Sequence, residues 1–164
     1  MTTPDIGTLL REFHREKLAM RERHVAVATA VSSYPANNTY QYVINREDTH
    51  LTWLESALAD LGSTPDEVPP VNLPARGRKE SFAPLVEQDA RTAGDFVARW
   101  RPRLPAVTNA RHRNMMQVIL GETLEQKRFF DQIVAGREDV LGRRSNGPGS
   151  TGTGDGVLAV RWVE

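Results

Sequence analysis

The sequence has no cysteine, which excludes disulfides and thiolate metal sites. It has no excess of either charge, since 21 Lys and Arg face 21 Asp and Glu. Affinity for phosphate backbones comes from accumulated positive charge, so no nucleic acid is expected as a partner. Local basic groups such as Arg111-His112-Arg113 and Arg143-Arg144 read as solvated helix ends. Long apolar runs are missing too. The longest covers residues 25–31, far short of the roughly 20 residues a membrane span needs. Residues 6–10 are interrupted too soon to form the apolar core of a signal segment. The expectation is a cytoplasmic protein with no membrane contact. Lysine is scarce, at positions 17, 79 and 127 alone, and the other basic residues are arginines.

Helical periodicity is what the chain does have. With 164 residues it is long enough for one domain with a real core. A first helix opens around Thr3, Pro4 and Asp5, where Thr can cap, Pro suits the first turn and Asp favours the positive end of the dipole. Its apolar face reads Ile6, Leu10, Phe13, Met20, Val27, Val31. Tyr34, Pro35, Ala36, Asn37 and Asn38 read as its stop. A second helix begins near Thr39 and buries Tyr40, Val43, Ile44, Leu51, Leu54, Leu58 and Leu61, with Gly62 as its C-terminal cap. The short turn between the two makes them antiparallel.

Residues 62–78 carry Pro65, Pro69, Pro70 and Pro74 and no periodicity. A structureless stretch of about 17 residues is long for a compact domain, and crossing the bundle supplies a reason for it. The second helix, about 33 Å long at ~1.5 Å per residue, is within reach of a segment that spans about 56 Å when extended. The third helix would then run parallel to the second. It starts near Ser81, has Pro84 in its first turn, and faces inward with Phe82, Leu85, Val86, Ala93, Phe96 and Trp100. A fourth runs from about Thr108 or Asn109 to Gly136, with Met115, Met116, Ile119, Phe129, Phe130 and Ile133 inside and a short extension to Leu141. The fold class is all-α: a four-helix bundle over residues 1–144, made of two antiparallel helix pairs joined by a long crossover.

Several polar residues interrupt the apolar stripes. These are His24 on the first helix, Glu47 and His50 on the second, Asp89 on the third, and Glu122 with Glu125 and Gln126 on the fourth. Residues three or four apart share a helix face, so Glu47 and His50 aim at one spot. Counted from the helix starts and turns, all four sets fall at one height. A buried layer of carboxylates and imidazoles is costly unless compensated. A divalent metal pair would offset that cost, because carboxylate and imidazole suit iron, manganese and zinc. The alternative is ion pairing with arginines such as Arg46. His14 and His112 read as surface residues, and Gly121 as a place that makes room for a ligand or for Trp53 or Trp100.

With this layout and with Glu47-Asp48-Thr49-His50, the chain resembles the ferritin-like (rubrerythrin-like) superfamily over residues 5–141. The motif matches the Glu-x-x-His of that family's second helix, and residues 121–130 resemble its fourth-helix segment. The resemblance implies a ferritin-like four-helix bundle holding two iron or manganese ions. It also implies oxidoreductase chemistry on dioxygen or peroxide, or iron storage. Glu47, His50, Asp89, Glu122 and Glu125 would be metal ligands, and His24 or Glu22 would complete the set. Two departures stand out: Glu125 occupies the position of the fourth helix's His, and His24 is the inward candidate where the family's first helix supplies Glu.

Residues 145–156 are Gly, Ser and Thr rich and read as a flexible linker. Residues 157–164 are apolar again, with Leu158, Val160 and Trp162 alternating as on a strand. Such a tail resembles a docking peptide, and has the general look of the cargo-loading tails of proteins enclosed in encapsulin shells. A protein partner or shell for the tail, a homo-oligomer, and a metal-free bundle acting as an interaction module are therefore further expectations.

Overall fold

The computed structural model describes residues 5–77 and 80–141; the linker at 145–156 and the tail at 157–164 lie outside the described residues. Four helices form: α1 Ile6–Ala30, α2 Tyr34–Asp60, α3 Ala83–Trp100 and α4 Ala110–Val134. Asp5 caps α1, its carboxylate accepting from Thr8 N at 3.1 Å. Asn109 does the same for α4 through His112 N at 3.1 Å. Each satisfies a donor that the helix itself leaves unpaired.

The first two helices meet more tightly than the sequence suggests. α2 starts at Tyr34, capped by Ser33, with Pro35 in its opening turn. Proline costs nothing there, because those N–H groups have no helical partner. Tyr34 to Asn38 is therefore the first turn of α2 and not the stop of α1. After α3, Pro102 and Pro105 are accommodated in a 3-10 helix, Arg101–Ala106. α4 ends before Gly136, whose φ of 87° is the left-handed conformation that glycine adopts without penalty. Residues 137–141 form turns, not a helical extension, and Val140 packs on the core there.

Cross-helix bonds give the direction of each helix. Between α1 and α3, Arg23 meets Asp89 and Glu16 meets Arg99, and just past α3 Glu12 meets Arg103. One number rises as the other falls, so these helices are antiparallel. The same holds for α1 and α2, where Arg21 pairs with Asp48 and His14 with Glu55. α2 and α3 consequently run parallel, which requires the segment between them to return along the bundle. It does: Asp66 lies beside Arg15, and Leu73 packs against the core cluster at the other end, the one that contains Val27, Val31 and Tyr40.

The core is in two parts. One gathers Leu10, Phe13, Leu54, Phe96, Trp100, Met116 and their neighbours. The other gathers Val27, Tyr40, Val43, Val86, Phe130, Ile133 and theirs. Each fully buried large side chain contributes about 1.5–3 kcal/mol. Between the two clusters, all four helices turn polar side chains inward.

Candidate functional site

Lys17, His24, Glu47, His50, Asp89, Thr123 and Gln126 are all buried. They occupy slots that the apolar faces leave open. On α1 the buried positions run Leu10, Phe13, Lys17, Met20, His24, Val27, and on α4 Met116, Ile119, Thr123, Gln126, Phe130, Ile133. Each step is three or four residues, the spacing of one helix face.

Glu47 is central. Its Oε1 accepts from His24 Nδ1, and its Oε2 lies 3.8 Å from the Lys17 ammonium. Lys17 Nζ also donates to Thr123 Oγ1 at 3.3 Å and sits 5.6 Å from the Phe96 ring centre. Thr123 in turn donates to Ile119 O at 2.7 Å. Asp89 forms a second node: Arg23 Nε donates to Oδ1 and Tyr40 OH to Oδ2, both at 2.6 Å. His24 Nε2 stands 4.0 Å from Asp89 Oδ1, and its ring packs against Phe130 with centres 5.1 Å apart. The third node is Glu122, which accepts from His50 Nε2 and from the Arg46 guanidinium.

The electrostatics follow from these contacts. Burial pushes the Glu47 carboxyl up, but His24, Lys17 and His50 outweigh it and hold the group below the ordinary carboxylate value. Glu122 is likewise held low, with burial opposed by His50 and Arg46. Burial lowers Lys17, against the pull of Glu47 and Glu122, and lowers His50, against the pull of its Glu122 hydrogen bond. Burial and the neighbouring Asp89 push the Tyr40 phenol far up, so it serves as a donor. Three cations, Lys17, Arg23 and Arg46, stand beside three carboxylates, Glu47, Asp89 and Glu122.

The expected residues divide accordingly. Glu47, His50, Asp89 and His24 converge in the interior. Glu122 is at its edge, with 27% of its side chain exposed. Glu125, 28% exposed, lies 3.7 Å from Arg128, and Glu22 is 39% exposed and bonded to Arg21. The inward positions on α4 are Thr123 and Gln126. His14 is buried and bonded to Glu55, not a surface residue, and His112 is half-buried. Gly121 makes room for nothing: it is exposed, and an added Cβ would meet no atom within 4 Å.

Sequence reasoning missed Lys17, Thr123, Arg23 and Tyr40 as members of this network. Lys17 was within reach, because it falls in phase between Phe13 and Met20 on a face that is otherwise apolar or imidazole.

The layer fits a di-metal centre poorly. Each carboxylate already carries a protein cation, and α4 turns a hydroxyl and an amide inward where carboxylate and imidazole would be needed. α1 supplies an ammonium, which has no lone pair to give. Among the described residues no three His, Asp or Glu side chains are gathered so as to hold a metal ion. Some buried atoms do stay without a hydrogen bond: Glu47 Oε2, His50 Nδ1 and both ends of the Gln126 amide. Comparison of the chain with protein-family models, with characterised proteins and with solved structures gave no match.

Proposed function

We propose that this chain is a ferritin-like four-helix bundle that works without a di-metal centre, as an interaction module and not as an oxidoreductase acting on iron, peroxide or dioxygen. The parallel α2 and α3 with their long crossover, and Glu47 with His50 facing inward, support the ferritin-like reading. The observation that carries the metal-free reading is Lys17: a fully buried ammonium lies between Glu47 and Thr123, compensating the carboxylate that a metal would otherwise neutralise.

An interaction role has two supports. A groove of about 480 Å³ between α2 and α4 is lined by Trp53, Ala57, Met115 and Val118, with Asp60 and Arg111 at its rim. Trp53 and Val118 are partly exposed there, and contiguous exposed apolar surface marks binding sites. The second is the apolar tail at residues 157–164, read from sequence as a docking peptide for a partner or shell. The competing reading is an iron or manganese carboxylate protein. Glu47 Oε2 and His50 Nδ1, which accept no hydrogen bond, favour it, but it requires Lys17 to leave the interior.

Thermal denaturation with added iron(II) or manganese(II), and with chelator, separates the two. A ligand bound by the folded state alone raises the melting temperature in proportion to the logarithm of its concentration. The metal-free reading expects no shift in either direction, together with loss of partner capture when residues 145–164 are deleted. A concentration-dependent rise with either metal would restore the oxidoreductase reading.

A further inference from the structure

The interior of this layer holds polar atoms that their protein neighbours leave without hydrogen bonds. Glu47 Oε2 has an ammonium at 3.8 Å but no hydrogen bond. Gln126 is almost completely buried and bonds through neither end of its amide. It lies one turn beyond Thr123, the residue that Lys17 touches. His50, fully buried one turn from Glu47, has Nδ1 free. Among the described residues, Nζ of Lys17 is the cation beside Glu47 Oε2, on a side chain with no exposed surface.

We infer that this space is a cation site in its own right, that Lys17 fills it, and that Lys17 is the residue that keeps divalent transition metals out. The inference rests on the metal-free reading above. Its chemistry is that of hard and borderline divalent ions. Glu47 offers a carboxylate oxygen and Thr123 a hydroxyl beside the ammonium, and Gln126 and His50, one turn from Thr123 and Glu47, carry an amide oxygen and an imidazole nitrogen without hydrogen bonds, types that manganese(II), iron(II) and zinc(II) accept. Glu47 binds His24 through its other oxygen, a partner that orients a ligating carboxylate. A second positive ion cannot enter while the ammonium is present, because two like charges would share one carboxylate in a poorly screened interior. Removing the ammonium and placing a ligand at position 17 removes that repulsion and adds a ligating atom from α1.

The test uses the full chain and three metals, manganese(II), cobalt(II) and zinc(II). Wild type, Lys17→Glu and Lys17→His are compared by titration calorimetry, by cobalt absorption and by melting temperature with and without metal. The expected result is no binding by wild type and stoichiometric binding by both variants, each melting higher with metal than with chelator. Both variants are also refolded in the presence of metal, so that a variant unstable without it is still measured. Folded variants that bind none of the three metals overturn the inference and leave the metal-free reading standing. So do variants that no metal rescues. Tight binding by wild type instead overturns the metal-free reading itself.

Discussion

Lys17→Met removes the ammonium and keeps an unbranched apolar stem of similar shape. The lost quantity is then chiefly charge compensation, together with the contact of the ammonium with the Phe96 ring, whose centre lies 5.6 Å from Nζ. Glu47 then stays fully buried with one oxygen bonded to His24 and the other facing no cation. Breaking a buried pair from one side costs about 3–5 kcal/mol. His24 remains in place, which puts this site toward the lower end, about 3 kcal/mol. For a domain of this size each kcal/mol lowers the melting temperature by about 2–4 °C, so a fall of roughly 6–12 °C is expected in far-ultraviolet circular dichroism. The double variant Lys17→Met with Glu47→Gln removes both charges and should recover a large part of the loss. Equal or higher stability of Lys17→Met alone would refute the reasoning, since it would mean that Glu47 does not depend on the ammonium.

Other consequences concern the remaining nodes. Tyr40→Phe takes the donor from Asp89 Oδ2 while Arg23 keeps Oδ1; a loss of about 1–3 kcal/mol in denaturant titration is expected. Gly121→Ala meets open space on an exposed helical surface and should stabilise by up to about 1 kcal/mol, so destabilisation would show that the position is not free. Stability should decline in acid in two limbs. His50 lies below its ordinary 6.5 in the folded chain, so the unfolded chain takes up that proton first and stability falls once the pH drops below that value. Glu47 and Glu122 lie below their ordinary 4.5, so their contribution is present above that value and is lost as pH falls through their folded values. Denaturant titrations across this range should show both limbs; His50→Asn should flatten the upper one and, because His50 helps hold Glu47 and Glu122 low, shrink the lower one as well.

Much of this architecture is legible in residue order. The apolar faces of all four helices, the long proline-rich crossover and the convergence of His24, Glu47, His50 and Asp89 follow from periodicity and from counting residues between turns. The start of α2 does not, because Pro35 looks like a breaker unless Ser33 is recognised as the cap before it. On α4, the choice between Glu122 with Glu125 and Thr123 with Gln126 is a rotation of one residue, about 100° on a helix. The carboxylates suggest the first pair, of which Glu122 reaches His50 at the edge of the layer, whereas the phase set by Ile119 and Phe130 places Thr123 and Gln126 fully inside. Lys17 is in phase with the inner face of α1, yet its burial runs against expectation. Lysine is the residue least expected inside, and a buried one becomes reasonable only when its carboxylate partner on another helix is known.

The buried Glu47 carboxylate needs a neutralising charge, and Lys17 supplies it. Elemental analysis of the protein purified from iron- and manganese-supplemented cells measures this most directly. With Lys17 supplying the positive charge, the purified chain should carry neither iron nor manganese in stoichiometric amount. A stoichiometric complement of either metal, retained through purification and lost together with stability on chelation, would contradict it.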